Sequence, residues 1–254
     1  RNSALKKANA FCTMSHEYMN WMLNIADRPK NDFDITSSLS APDPKKIASY
    51  QIEKAKNWWK EEYKIDLSHK RRFTFVGSFM SVFDFTPFKN QLLDLKKTIS
   101  DIEVVICGQG PYKKEIEKTF FGIPNVKIID WIDYPKIVAL TSSSSGAIIP
   151  YKNIKNYTIN IPNKVIDALS FGLPILTSVD GSIRKLCDEY NVGLYLELNS
   201  KEQSTNYLKS LLTDEKFFNL ISSNCRSLYY KKFSIELVYS KLTKNIARLG
   251  SQTK

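Results

Sequence analysis

One short stretch holds the residue types best suited to chemistry: Pro162, Asn163, Lys164, Val165, Ile166 and Asp167. Pro162 and Asn163 open a predicted helix. Its first-turn N–H groups lack partners inside the helix and present positive partial charge to an anion. Lys164 adds a full positive charge at that end. Asn163 and Asp167 are four apart and so share one face, while Val165, Ile166, Ala168 and Leu169 supply apolar surface. The set suits a nucleoside diphosphate, with amides and Lys164 toward phosphate and Asp167 toward ribose hydroxyls. It reads also as a solvated first turn in which Asp167 complements the helix dipole, and spacing alone leans to that plainer reading while leaving both open.

A second constellation is Gly108-Gln109-Gly110, which follows a predicted strand and precedes a predicted helix. Glycines there let a backbone approach a pyrophosphate, and Asp130 ends the next strand near the place of a ribose-binding acid. This motivates a nicotinamide-binding module as one alternative. The third glycine of that fingerprint is absent, with Lys113 in its place, and Pro111 fixes the helix entry. A tight βα turn without a ligand is the plainer reading.

The elements that must position these residues alternate. Strands are predicted at 73–76, 104–106, 126–129, 147–149, 175–177 and 194–196. Helices are predicted at 88–99, 113–121, 134–140, 163–170 and 182–190, then at 205–212, 215–230 and 234–249. Single helices between strands imply right-handed βαβ units and a parallel, doubly wound α/β sheet, whose ligands bind outside the carboxyl ends of the strands. Upstream, Asp43 and Pro44 read as an N-cap and first-turn proline for a helix running to about Tyr63. Residues 31–42 read as a connector, and 141–146, with four serines, as a low-complexity loop.

The 254 residues carry 37 Lys+Arg against 26 Asp+Glu, a net charge of +11, with 43% hydrophobic residues, so a folded core is expected and dominant disorder is not. No apolar run approaches the ~18–20 residues of a membrane span. The basic excess points to an anionic partner, yet no stretch interleaves basic and aromatic residues as nucleic-acid readers do. Local basic runs are Lys70-Arg71-Arg72, Lys96-Lys97, Lys113-Lys114 and Lys231-Lys232. Two histidines, His16 and His69, argue against Ser-His or Cys-His catalysis. The four cysteines, without a C-x-x-C pair, read as buried reduced thiols and not as a metal site. The first residue is Arg1, which reads as a start partway into a longer protein.

From Phe73 to Leu196 the chain resembles the C-terminal, donor-binding half of a GT-B fold glycosyltransferase of the retaining family-four type. The segments that carry this are FVGS at 75–78, VVICGQGP at 104–111, NVKIIDWID at 125–133, IIPY at 148–151, PNKVIDALSFGLPILTS at 162–178, DGSIRKL from Asp180 and NVGLYL from Asn191. Their shared order and spacing make the match. ANAFCTMSHEYMNW at 8–21 is similar to the end of the family's acceptor domain, and 234–249 to the tail that crosses back onto it. Most of that acceptor domain would precede this chain. The sequence departs from the family pattern at three places. The paired glutamates with seven residues between them become Ile159 and Asp167, the turn after the first strand lacks basic residues until Lys89, and Asp130 replaces a glycine.

The resemblance implies a donor site formed by Gly77, Ser78, Gly110, Trp131, Ile132, Tyr151, Asn163, Lys164, Val165 and Asp167, with Trp131 and Ile132 beside the base and no metal or other cofactor. It implies a remnant of the acceptor domain and a connector at 1–70, a Rossmann-like nucleotide-sugar domain at 71–232 and a C-terminal crossover helix at 233–254. The expected activity is sugar transfer from a nucleotide-sugar to a glycan or lipid-linked saccharide, of the surface-polysaccharide type. The expected place is the cytoplasm, peripheral at the inner face of an anionic membrane, with the acceptor domain in a separate polypeptide as one arrangement and no nucleic acid as partner. The alternative is a non-catalytic donor-half that binds nucleotide or a second polypeptide.

Overall fold

The computed structural model describes residues 3–69, 71–196 and 201–252; Arg1 and Lys70, both used above, lie outside them. The chain opens with α1 (Ser3–Lys6), β1 (Cys12–Thr13), α2 (His16–Ala26) and β2 (Ile35–Thr36), then enters α3 (Ser49–Tyr63). An alternating series follows: β3 (Arg72–Val76), α4 (Thr86–Leu95), β4 (Glu103–Cys107), α5 (Lys113–Phe120), β5 (Val126–Ile129), α6 (Tyr134–Ser142) and β6 (Gly146–Ile149). Then come α7 (Lys155–Thr158), α8 (Asn163–Phe171), β7 (Ile175–Thr177), α9 (Ser182–Tyr190) and β8 (Gly193–Tyr195). Three helices close the chain: α10 (Lys201–Thr213), α11 (Glu215–Lys232) and α12 (Ile235–Gln252).

Strands β3 to β8 form one parallel sheet in the order β5-β4-β3-β6-β7-β8, the doubly wound α/β sheet that the alternation predicts. Helices cover both faces, so its strands are apolar on both sides. Along β4 the side chains alternate: Val104 and Ile106 enter the larger core with Phe73, Phe88 and Leu92, while Val105 and Cys107 enter a second core with Trp59, Ile65 and Leu140. The chain winds outward from β3 to β5 and returns at β6 beside β3. The strand order therefore reverses between β3 and β6, and a crevice opens at their carboxyl ends.

Three local expectations need correction. The helix after Pro44 is interrupted: Asp43 caps only a 3-10 turn at Pro44–Lys46, and Ile47 is extended (φ −78°, ψ 133°) before α3 begins. The break lets Ile47 pack on the larger core while Ala55 and Trp59 face the second. The serine run is not an open loop. Ser143, Ser144 and Ser145 are buried, and Ser143 accepts from the fully buried Arg72 guanidinium at 2.8 Å through Oγ and at 3.0 Å through its carbonyl. Arg72 also pairs with Glu103. Of the cysteines, Cys107, Cys187 and Cys225 are buried, but Cys12 is exposed.

The N-terminal segment is held by one buried carboxylate. Asp34 accepts from Phe11 N at 2.7 Å, from Asn31 N at 2.8 Å and from both terminal nitrogens of Arg28 at 2.7 and 2.8 Å. The Arg28 guanidinium and these amides hold its pKa down at about 2, from an ordinary 3.8. A depressed carboxylate contributes stability above its unfolded pKa and loses it as pH falls through the folded value. Asp34→Asn is therefore expected to cost on the order of 2 kcal/mol at pH 7, or roughly 4–8 °C in Tm. Thermal unfolding from pH 7 to pH 2 should show that gap closing, and a gap constant with pH would refute the assignment.

Candidate functional site

The crevice at the β3–β6 reversal is built by α8. Pro162 is extended (ψ 161°) at its N-cap, and no side chain caps its amides there. Lys164 turns inward, and its Nζ donates to the carbonyl of Val76, the last residue of β3, at 2.6 Å. The ammonium lies 4.7 Å from the Phe75 ring centroid and 5.7 Å from that of Phe83. Gly77 makes the room: a Cβ there would fall 1.6 Å from Nζ. Asp167, one turn along α8, joins Lys164 in the wall of a cavity of about 290 Å³. Tyr134, Ile137 and Phe171 line its apolar side, and Pro42 reaches in from the connector.

Neither charge in this wall makes an ion pair among the described residues. The apolar surroundings push the Lys164 ammonium down to about 8, against the pull of Asp167. They push the Asp167 carboxyl up to about 6, against the pull of Lys164. Holding two desolvated, unpaired charges costs the fold stability, and such pairs gather where a ligand completes them. The nearby Tyr134 phenol is raised to about 12 by burial and its OH donates to Pro42 O at 3.4 Å, so it stays a neutral donor.

The Gly108 and Gly110 turn serves a different end. Phe79 N donates to Gln109 O at 2.7 Å and Gly77 N to Cys107 O at 2.9 Å, zipping the β3–α4 loop onto the β4–α5 loop. A Cβ on Gly108 would lie 1.8 Å from Gly77 O, and one on Gly110 would lie 2.3 Å from Phe79 O. The glycines are required by loop packing. Asp130, the acid of the nicotinamide reading, is paired with Lys113 at 2.6 Å. Among the described residues no group of three or more His, Cys, Asp or Glu comes together as a metal site would need.

A family model described as glycosyl transferases group 1 matches residues 59–227, more than half of the chain. The chain belongs to this family. It is similar to the UDP-Gal:alpha-D-GlcNAc-diphosphoundecaprenol alpha-1,3-galactosyltransferase of Escherichia coli, at 27% identity over 143 residues, which is 54% of this chain and 34% of that protein. It is also similar to the sulfoquinovosyl transferase SQD2 of Arabidopsis thaliana, at 25% identity over 141 residues, which is 53% of this chain and 26% of that one. The chain thus spans about a third or less of the length of these curated relatives. Among solved structures, Anabaena Alr3699/HepE in complex with UDP and glucose aligns with a TM-score of 0.72 at 11% identity, over 96% of this chain and 65% of that chain. That likeness is one of fold, the GT-B donor-binding half.

In this group 1 glycosyltransferase chain, the crevice gathers only part of the residue set that the sequence suggested. Lys164 and Asp167 line it together, and Gly77 lies against the Lys164 ammonium. Tyr151 is adjacent, stacked on Tyr157 at 4.2 Å and packed on Phe83 at 4.9 Å. Asn163 is exposed outside the cavity, so Lys164, not Asn163, shares the working face with Asp167. Val165 is buried in the larger core and Ile132 in the second core, while Trp131 is 60% exposed. Ser78 is exposed on the zipped loop, and Gly110 packs on Phe79. Sequence reasoning missed Tyr134, Ile137, Phe171 and Pro42. Tyr134 had a signal, since it follows the Asp133 cap at the carboxyl end of β5. Pro42 had none, because it enters from a segment far away in sequence.

Proposed function

We propose that the chain is the donor-binding half of a retaining glycosyltransferase, which moves a sugar from a nucleotide-sugar to a glycan or lipid-linked saccharide in surface-polysaccharide synthesis. The observation that carries this reading is the Lys164–Asp167 pair, desolvated and unpaired at the sheet reversal beside an uncapped helix end. Lys164 leaves Val76 O to meet the diphosphate, with the amides of α8 beside it, and so stabilises the leaving group. Asp167 accepts from ribose hydroxyls, and Tyr134, Ile137 and Phe171 enclose the nucleoside. The acceptor would be held against the anomeric carbon by the rest of the enzyme, in the same or a separate polypeptide. No helix among the described residues is long and apolar enough to cross a membrane. We place the protein in the cytoplasm, drawn by its +11 charge to an anionic membrane surface, with no cofactor and no nucleic-acid partner.

The test is calorimetry with a panel of nucleoside diphosphates, uridine diphosphate first, followed by a transfer assay with the matching nucleotide-sugars. The expected result is binding of one diphosphate and very slow transfer by this chain alone, rising when an acceptor domain is supplied in trans. No binding of any diphosphate would end the donor reading. Ile159 and the absence of basic residues between Gly77 and Lys89 favour a second reading, a non-catalytic donor half. Tight binding without transfer, even with an acceptor domain present, would support it.

A further inference from the structure

A recess of about 440 Å³ lies between the connector and the last helix, on residues that the donor reading does not use. We propose that it binds a phosphorylated anion, the phosphate group of a soluble ligand. Its walls carry Ser37 and Ser38 beyond β2, Lys232 at the end of α11, and Lys241, Lys244 and Arg248 on α12. No carboxylate lines it. None of the four cations makes an ion pair among the described residues; of the acids nearby in sequence, Asp34 pairs with Arg28 and Glu236 with Lys46, while Asp32 meets Arg248 through its backbone carbonyl alone. Like charges converging on one recess repel each other, and a compact multiply charged anion removes that cost.

Two of the cations are already positioned. Arg248 donates to Asp32 O at 2.7 Å and its guanidinium lies 4.9 Å from the Phe33 ring centroid. Lys232 lies 4.4 Å from the Tyr190 ring centroid. Asn245 Nδ2 donates to Phe33 O at 2.9 Å and fixes α12 against the connector. Lys241 and Lys244 are exposed and can close over a ligand. Lys232 also donates to the Tyr190 hydroxyl, so it and Arg248 are anchored at the rim by protein contacts, and Lys241 and Lys244 are the cations left to meet a ligand.

Helix geometry separates this recess from a membrane-lying surface. Ile235, Tyr239 and Ile246 are exposed and fall within about 40° of one another around α12 at 100° per residue. Lys241, Lys244 and Arg248 lie roughly 180–240° round from Ile235 on the same count. Val238 and Asn245 face the protein between the two sets. An interfacial helix sets its cations beside an apolar face that enters the bilayer, whereas here the exposed apolar residues and the cations occupy opposite flanks.

The test is calorimetric titration of inorganic pyrophosphate at constant ionic strength in a Lys164→Ala background, which removes the cation of the other site. One site should remain. Adding Lys241→Gln and Lys244→Gln should weaken it on the order of a hundredfold or more, two charge-assisted contacts of roughly tenfold or more each being lost. Adding Lys60→Gln and Lys118→Gln instead, exposed lysines on α3 and α5, changes net charge equally and should leave it intact. Equal loss in both variants, or no pyrophosphate site in the Lys164→Ala protein, would overturn the proposal. So would vesicles of anionic phospholipid that bind through Lys241 and Lys244 without competition from pyrophosphate, since the ligand would then be a headgroup surface.

Discussion

Lys164→Ala is expected to weaken nucleoside diphosphate binding by roughly ten- to hundredfold, the worth of a charge-assisted phosphate contact of on the order of 1.5–3 kcal/mol. The uncharged nucleoside should lose much less, because it has no phosphate for the ammonium to meet. Asp167→Asn keeps the size and removes the charge that strengthens a ribose contact, so it should weaken nucleoside and nucleotide by similar factors. The pH dependence follows from the same pair. Lys164 titrates near 8, so diphosphate affinity should fall as pH rises through 8, by up to about tenfold per unit. Asp167 titrates near 6, so the ribose contact should weaken as pH falls through 6.

Folding has the opposite sensitivity. A carboxyl whose folded pKa is raised contributes stability at low pH and loses it as pH rises through the folded value. Ionised Asp167 therefore weakens the fold at pH 7, and Asp167→Asn is not expected to lower Tm there. Calorimetry of both variants from pH 5.5 to 9.5 separates binding from folding. Unchanged diphosphate affinity in both folded variants, with a flat profile, would reduce α8 to a solvated βα turn.

The sheet was legible because strand and helix differ in apolar periodicity and each βα turn carries its own glycine or proline. Residues 104–107 illustrate the limit of that reading. Their apolar run announces a buried strand but not that Val104 and Val105 enter different cores. Within the site, Lys164 and Asp167 were singled out as charges near the start of a helix after Pro162, and the resemblance, not the spacing, favoured a ligand over a solvated turn. The directions of their side chains were not in the spacing. Asn163 and Asp167 fit a four-residue face, yet the inward pair is Lys164 and Asp167, because Val76 O and the Phe75 and Phe83 rings lie on that side. Trp131 and Ile132 were placed beside the base by resemblance alone. The chain after Asp130 turns so that Ile132 fills the second core. Pro42 and the Arg72 partners were invisible, since both come from segments brought together only by the completed sheet.

Three glycines with positive φ are expected to respond differently to alanine, and the contrast decides what the G-x-G turn is for. At Gly108 (φ +156°) an added Cβ meets the backbone carbonyl of Gly77 at 1.8 Å, and no side-chain rotation can relieve it. The loops must part, breaking the Gly77 N–Cys107 O and Phe79 N–Gln109 O hydrogen bonds. The cost should be about 2–4 kcal/mol from overpacking and backbone strain, or roughly 5–15 °C in Tm. At Gly77 (φ +153°) the added Cβ meets Lys164 Nζ, the mobile end of a flexible side chain, so the ammonium is displaced. Gly77→Ala should therefore lose diphosphate affinity as Lys164→Ala does, with a smaller fall in Tm than Gly108→Ala. Gly122 (φ +75°) has nothing within 4 Å of an added Cβ, so alanine there should cost only the left-handed backbone penalty, about 1–2 kcal/mol. Thermal unfolding and uridine diphosphate titration on the three variants provide the comparison. A Gly108→Ala protein that melts with the wild type but loses ligand would mean that the turn cradles a phosphate after all, and that its packing against Gly77 yields at little cost.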